Sequence, residues 1–318
     1  MKKWHFIWPL LFLIAVGLQA EEKSGLRFQV EFYGGFSTAK PEDLNLACDA
    51  EEKLNAFLYN GKYEYLNQIH YIDSYSYSRS GDYKRIKHVF PFGFKVKAMS
   101  SSGLGVSLGF KYFCKTQESY PKEEFSIIEN SGRSSQEVLE YSPLQLGMEG
   151  KCFTVGLHLG RDLGNMFRIE GYLSPGLVFG NFTYSMTQNN HLYYGDSGLE
   201  FDYPYSMELR GKGKGLAFDA GFQFYMKLSN HLRLFFMGGY SYQQVKNLSG
   251  HGEQNVFGDS QNWEGNIYLI EEPYSEPWGK EQISFLSNID VLVEYYMKRK
   301  MNLNMSGLSI NIGMAFRI

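Results

Sequence analysis

Over much of this chain, hydrophobic and polar residues alternate one for one. Between 104 and 112, Leu104, Val106, Leu108, Phe110 and Tyr112 share one face, and Gly105, Ser107, Gly109 and Lys111 share the other. Between 216 and 227, Leu216, Phe218, Ala220, Phe222, Phe224 and Met226 oppose Asp219, Gly221, Gln223 and Lys227. At the C-terminus, Leu308, Ile310, Ile312, Met314, Phe316 and Ile318 oppose Ser309, Asn311, Gly313, Ala315 and Arg317. A period of two belongs to the β-strand, whose successive side chains point to opposite faces, and excludes a helix over these stretches. Less regular alternation at 26–36, 88–98, 153–160, 167–173 and 232–242 brings the predicted number of strands to eight.

The connections alternate in length. Ser100–Gly103, Asp162–Asn165 and Leu228–His231 are short turns, whereas 38–86, 117–140, 186–211 and 246–299 are long. Short turns at one end and long loops at the other are the pattern of a barrel in an outer membrane. Hydrocarbon cannot hydrogen-bond a peptide group, so a sheet crosses it only by closing on itself. The expectation is an all-β fold: a closed up-and-down antiparallel transmembrane β-barrel of eight strands. Its apolar faces would meet lipid, and its Gly, Ser and charged faces would fill a narrow lumen. The extracellular loops would be long. One short helix is expected in the first loop, because Pro41, Glu42 and Asp43 open, and Asn60-Gly61 closes, a segment with apolar positions at Leu44, Ala47, Leu54, Phe57 and Leu58. That helix either caps the barrel mouth or packs against strand extensions.

The N-terminus adds a destination. Lys2 and Lys3, an apolar run from Trp8 to Val16, and the small residues Gly17 and Ala20 have the three-part layout of a secretory signal peptide over 1–20. Residues 21–318 would then be the barrel domain, exported to the outer membrane of a Gram-negative cell envelope. A formal net charge of −3 in 318 residues argues against nucleic-acid binding, which needs a basic face. The 24 Tyr and 25 Phe exclude a disordered chain.

With its leader, three tight turns and alternating last strand ending Gly313-Met-Ala-Phe-Arg-Ile318, the chain resembles small outer-membrane barrels of the OmpA/OmpX type. The resemblance implies contact with outer-membrane lipid and lipopolysaccharide. It also implies insertion by the barrel-insertion machinery, which in that class commonly reads a terminal Phe; here Ile318 is last and Phe316 stands two places back.

Alternation places Arg27, Glu31, Lys95, Lys111, His158, Arg168, Glu170, Asp219 and Arg233 inward, as a network of ion pairs filling the lumen, or as a polar path or anion site, since cations outnumber acids there. Lys97, Arg161, Arg168, Lys227, Arg233 and Arg317 would form a basic rim near the short turns, beside anionic lipid. Cys114 and Cys152 come nearly level on neighbouring strands and are candidates for a disulfide, which leaves Cys48 over. His158 lacks a neighbouring His-x-Ser pair or Gly-x-Ser-x-Gly elbow, and Ser107 or Ser174 would reach it only through the fold. Asp196, Glu200 and Asp202 form an acidic outer group without the spacing of a calcium loop. No cofactor is implied. The tyrosines at 63, 65, 71, 75, 77, 193, 194, 203 and 205 belong either to an aromatic girdle or to a surface that binds an extracellular ligand. The predicted role is structural or surface interaction through the loops, with a narrow solute channel and a lipid-modifying enzyme as alternatives.

Overall fold

In a computed structural model, residues 26–49, 52, 72–256, 258–273, 282–287 and 297–318 are described, with backbone alone at 270–273, 282–287 and 297–298. The expected signal peptide, Leu54, Phe57 and Leu58 of the expected helix, and Tyr63, Tyr65 and Tyr71 lie outside the described residues.

The fold is antiparallel β with one helix, α1, at 42–49 among the described residues. The first strands are β1 Arg27–Thr38, β2 Ile72–Ser80, β3 His88–Val89, β4 Phe92–Met99, β5 Leu104–Ser119 and β6 Lys122–Glu129. Four long strands follow: β7 Ser134–Leu163, β8 Phe167–Tyr194, β9 Leu199–Lys227 and β10 Leu232–Val256. The last are β11 Asp259–Asn266, β12 Tyr268–Pro273, β13 Gln282–Ser287, β14 Met297–Lys300, β15 Leu303–Asn304 and β16 Gly307–Arg317. Sixteen strand segments replace the eight that alternation predicts. One of the extra ones, β11 with the sequence Asp-Ser-Gln-Asn-Trp-Glu-Gly-Asn, is almost wholly polar and held by backbone pairing, so no apolar period marks it.

In the larger sheet, β1 pairs with β4, β4 with β5, β5 with β7, β7 with β8, β8 with β9, β9 with β10 and β10 with β16. The other edge of β16 pairs with β1, from Gln29 opposite Arg317 to Ser37 opposite Ser309. β2 and β6 continue from β7, and β11 from β10. β12, β13 and β14 make a separate small sheet.

The three short turns stand where they are predicted. Gly103 closes the β4–β5 turn at φ 90°, a backbone conformation that suits glycine, and its N–H donates to the Ser100 carbonyl at 3.1 Å. The long connections differ from expectation. Much of 117–140, 186–211 and 246–299 continues as strand, so β7 runs for 30 residues and β9 for 29. At roughly 3.3 Å per residue that is on the order of 100 Å, about three times a bilayer's hydrocarbon thickness.

The two faces of the paired strands are inverted relative to a water-soluble core. Phe222 is 68% exposed, Leu159 68% and Ile310 69%, while Glu31 and Lys97 on the opposite face are completely buried. An apolar core does exist, at the long-loop end. There Leu44, Ala47 and Cys48 of α1 meet Tyr83, Ile86 and Val89, the side chains of Phe113, Leu146, Phe182, Leu209 and Val245 from the strand extensions, and Met301, Leu303 and Met305 of the returning chain. α1 starts directly after Pro41, whose carbonyl accepts from the Asn45 N–H at 2.9 Å. Its described turns therefore pack inside a core walled by strand extensions.

Candidate functional site

The buried face brings together most of the polar residues the sequence singles out. β1 supplies Glu31, β4 Lys95 and Lys97, β5 Lys111, β7 His158, β8 Arg168 and Glu170, and β9 Asp219. These residues fall on one face because each occupies the same parity of its strand and register aligns them: Glu31 lies opposite Lys95, and Gln29 opposite Lys97.

Lys97 sits at the centre. Its ammonium lies 2.5 Å from Glu31 Oε1, and donates to Glu170 Oε2 at 2.7 Å and to the Tyr225 hydroxyl oxygen at 2.5 Å. The Tyr225 hydroxyl donates to Glu31 Oε1 at 2.6 Å. Gln29 and Gln223 donate to the two Glu31 oxygens at 2.8 and 3.1 Å. Arg168 Nε holds Glu170 Oε1 at 2.6 Å, and Arg168 Nη1 reaches Asp162 at 3.1 Å. Lys97 is thus not part of a basic rim. It shares the parity of Lys95, and its stem carries the charge to the two buried carboxylates instead of to solvent. Tyr225, Gln29 and Gln223 complete the network. The alternation places them inward but attaches no charge to them, so only register shows their role.

A second cluster lies on β5, β9 and β10. Lys111 Nζ contacts both Asp219 oxygens at 2.8 and 3.0 Å and Ser241 Oγ at 2.8 Å. Ser241 also donates to Asp219, and Gln243 Nε2 donates to Ser241 Oγ at 2.5 Å. Arg27 and Arg233 are half-buried, and neither makes an ion pair among the described residues. Around Arg233 a cavity of about 190 Å³ at the short-turn end is shared with Asp162, Arg168 and Lys227.

His158 does meet a serine. Its Nε2 is 2.8 Å from Ser107 Oγ, and its Nδ1 is 3.6 Å from Glu170 Oε2. This resembles the order of groups that activates a nucleophile, but the surroundings leave no room for a substrate. A Cβ placed on Gly156 would stand 2.4 Å from Ser107 Oγ and 2.7 Å from Ser174 Oγ. Both serines and His158 are buried. The trio links strands and presents nothing to an acyl group.

The candidate Cys114–Cys152 disulfide is not formed; Cys48, Cys114 and Cys152 are all free. Register decides this: Cys114 lies opposite Glu149 and Cys152 opposite Lys111, with Cys114 exposed and Cys152 buried on the other face. In the acidic outer group, Asp202 finds a partner that the linear sequence hides. His191 stands across the β8–β9 ladder with Nδ1 at 2.5 Å from Asp202, and both side chains are solvated. Among the described residues no three His, Cys, Asp or Glu side chains converge as a metal site. Tyr75 and Tyr77 pack beside Phe125, Tyr203 donates to Glu137 at 2.9 Å, and Tyr193 and Tyr194 are exposed near the β8–β9 tip.

No protein-family model matches the sequence, and no curated protein does.

Proposed function

We propose that this protein is a small outer-membrane β-barrel of the OmpA/OmpX type, whose extracellular strand extensions serve surface interaction. In this reading β1, β4, β5, β7, β8, β9, β10 and β16 form the wall of a closed eight-stranded cylinder, and the short turns face the periplasm. The carrying observation is the inverted burial: a continuous apolar face open to the surroundings around a core of ion pairs. In water such an exposed face would be far larger than a soluble monomer tolerates. In hydrocarbon it is the stable arrangement. Outer-membrane lipid, including lipopolysaccharide, is then its solvent, and the insertion machinery its assembly partner.

The surface role rests on how much ordered chain stands beyond the wall: the outer halves of β7 to β10, the β2–β6 pair, β11 and the small sheet. The channel alternative draws no support from a lumen filled by the Lys97 and Lys111 clusters and covered by the apolar core around α1. Cell fractionation with the full chain tests the proposal. The expected result is recovery with the outer membrane and release only by detergent. A stable monomer in detergent-free buffer overturns it.

A further inference from the structure

Among the described residues, Lys95 is the one buried cation that the carboxylates leave out. Glu31 and Glu170 are engaged by Lys97 and Arg168, and Asp219 by Lys111. Lys95 is 4% exposed, and among the described residues its ammonium contacts only the Met237 sulfur at 3.6 Å and the ring faces of Tyr172 at 4.5 Å and Tyr33 at 5.7 Å. A buried ammonium without a hydrogen-bonded counter-charge is costly, and ring faces and a thioether offset only part of that cost.

A cavity of about 20 Å³ lies beside it, lined by Lys95, Tyr33, Tyr172, Ser309 and Asn311 together with the Lys111–Asp219 pair. That is room for one particle of about water's size. The lining holds spare donors beside two acceptor oxygens without a partner among the described residues, Asn311 Oδ1 and Gln243 Oε1. The hydroxyls of Tyr33 and Tyr172 have no hydrogen-bond partner among the described residues, and the Lys95 ammonium has three N–H groups to give. Asp219 is the one acid in the lining, and its charge is already matched by Lys111 and Ser241.

We infer that this cavity is a binding site for a single monatomic anion of chloride's class, held by the Lys95 ammonium and the phenols of Tyr33 and Tyr172. The anion supplies the counter-charge the protein does not, and its size excludes polyatomic anions. The inference stands on the interior alone, whatever surrounds the exposed face.

Crystals of the detergent-folded protein soaked in sodium bromide should show an anomalous peak in the cavity within hydrogen-bonding reach of Lys95 Nζ. In solution, Tm should be higher in sodium chloride than in sodium gluconate at equal ionic strength. Lys95→Met, which keeps the length of the side chain and removes the charge, should abolish that difference. Should Lys95→Met fail to fold, Tyr172→Phe serves instead and should reduce it. A cavity holding only water in the bromide map, equal Tm in the two salts, or a chloride effect that survives Lys95→Met would each overturn the site.

Discussion

At the scale of single residues, exposure alone cannot tell an apolar side chain in lipid from one in water, but a lysine can. Leu108, Phe222 and Leu199 are all more than half exposed, the first two midway along the proposed membrane-spanning wall and the third at the outer hairpin tip. Lysine at Leu108 or Phe222 should cost about 2–4 kcal/mol of stability in a bilayer, and at Leu199 almost nothing. Equal, small effects at all three, measured by denaturant unfolding in lipid vesicles, would remove the lipid-facing assignment. Lys97→Met leaves Glu31 and Glu170 without their shared cation, and breaking a buried pair from one side costs about 3–5 kcal/mol. Adding Glu31→Gln to that variant should restore part of the loss, which a double-mutant cycle would read. Outside the wall, burial beside Tyr141 and the Glu123 carboxylate raises the Tyr83 phenol above its ordinary value of 10.0. The folded state holds that proton more tightly than the unfolded one. Its contribution is therefore complete below pH 10 and declines as pH rises further toward the folded-state value. Tyr83→Phe should flatten the stability curve above pH 10.

At the scale of elements, the outer region is tied down by specific contacts. Asp43 of α1 accepts from both Arg299 Nη atoms at 2.7 Å and from the Asn302 N–H at 2.7 Å, fastening the returning chain to the first loop. Asp43→Ala should cost about 2 kcal/mol locally and expose 297–305 to limited proteolysis while the wall stays intact. On β10 the register shifts between Lys246 and Ser249 at Asn247, whose φ is 53°, and Leu248 is fully buried there. Such a bulge is compatible with asparagine's tolerance of the left-handed region, and no period-two reading anticipates it. The start of α1 was legible because Pro41 and the acids after it are boundary signals. The β2–β6 pairing was not, because serine and tyrosine alternating in Ile72–Ser80 make no apolar stripe.

At the scale of the whole molecule, the proposed cylinder would hold the polar clusters and the apolar core in series along its axis. Planar-bilayer recordings of the purified protein should therefore show no steady ion conductance. Sustained single-channel currents would show that the packed interior opens. Deleting Asp259–Pro273 should leave the wall folded, since among the described residues β11 pairs only with β10 in the large sheet and β12 belongs to the small one. Loss of the folded wall in that variant would mean that the outer region holds the cylinder together.

The sequence by itself determined which strand faces are apolar, where the short turns fall, and that Glu31, Lys95, Lys111, His158, Arg168, Glu170 and Asp219 share the opposite face. Those properties are local: parity along one strand and glycine at a turn suffice to write them. Only the tertiary structure decided who meets whom. An offset of three residues in the β5–β7 register sets Cys114 against Glu149 rather than beside Cys152, and the same pairing brings Ser107 to His158. Register is a relation between distant segments, fixed by the summed fit of a whole ladder, and no single strand carries it. For the same reason, that Lys95 lacks a carboxylate partner became visible only once Glu31, Glu170 and Asp219 had been assigned to other cations.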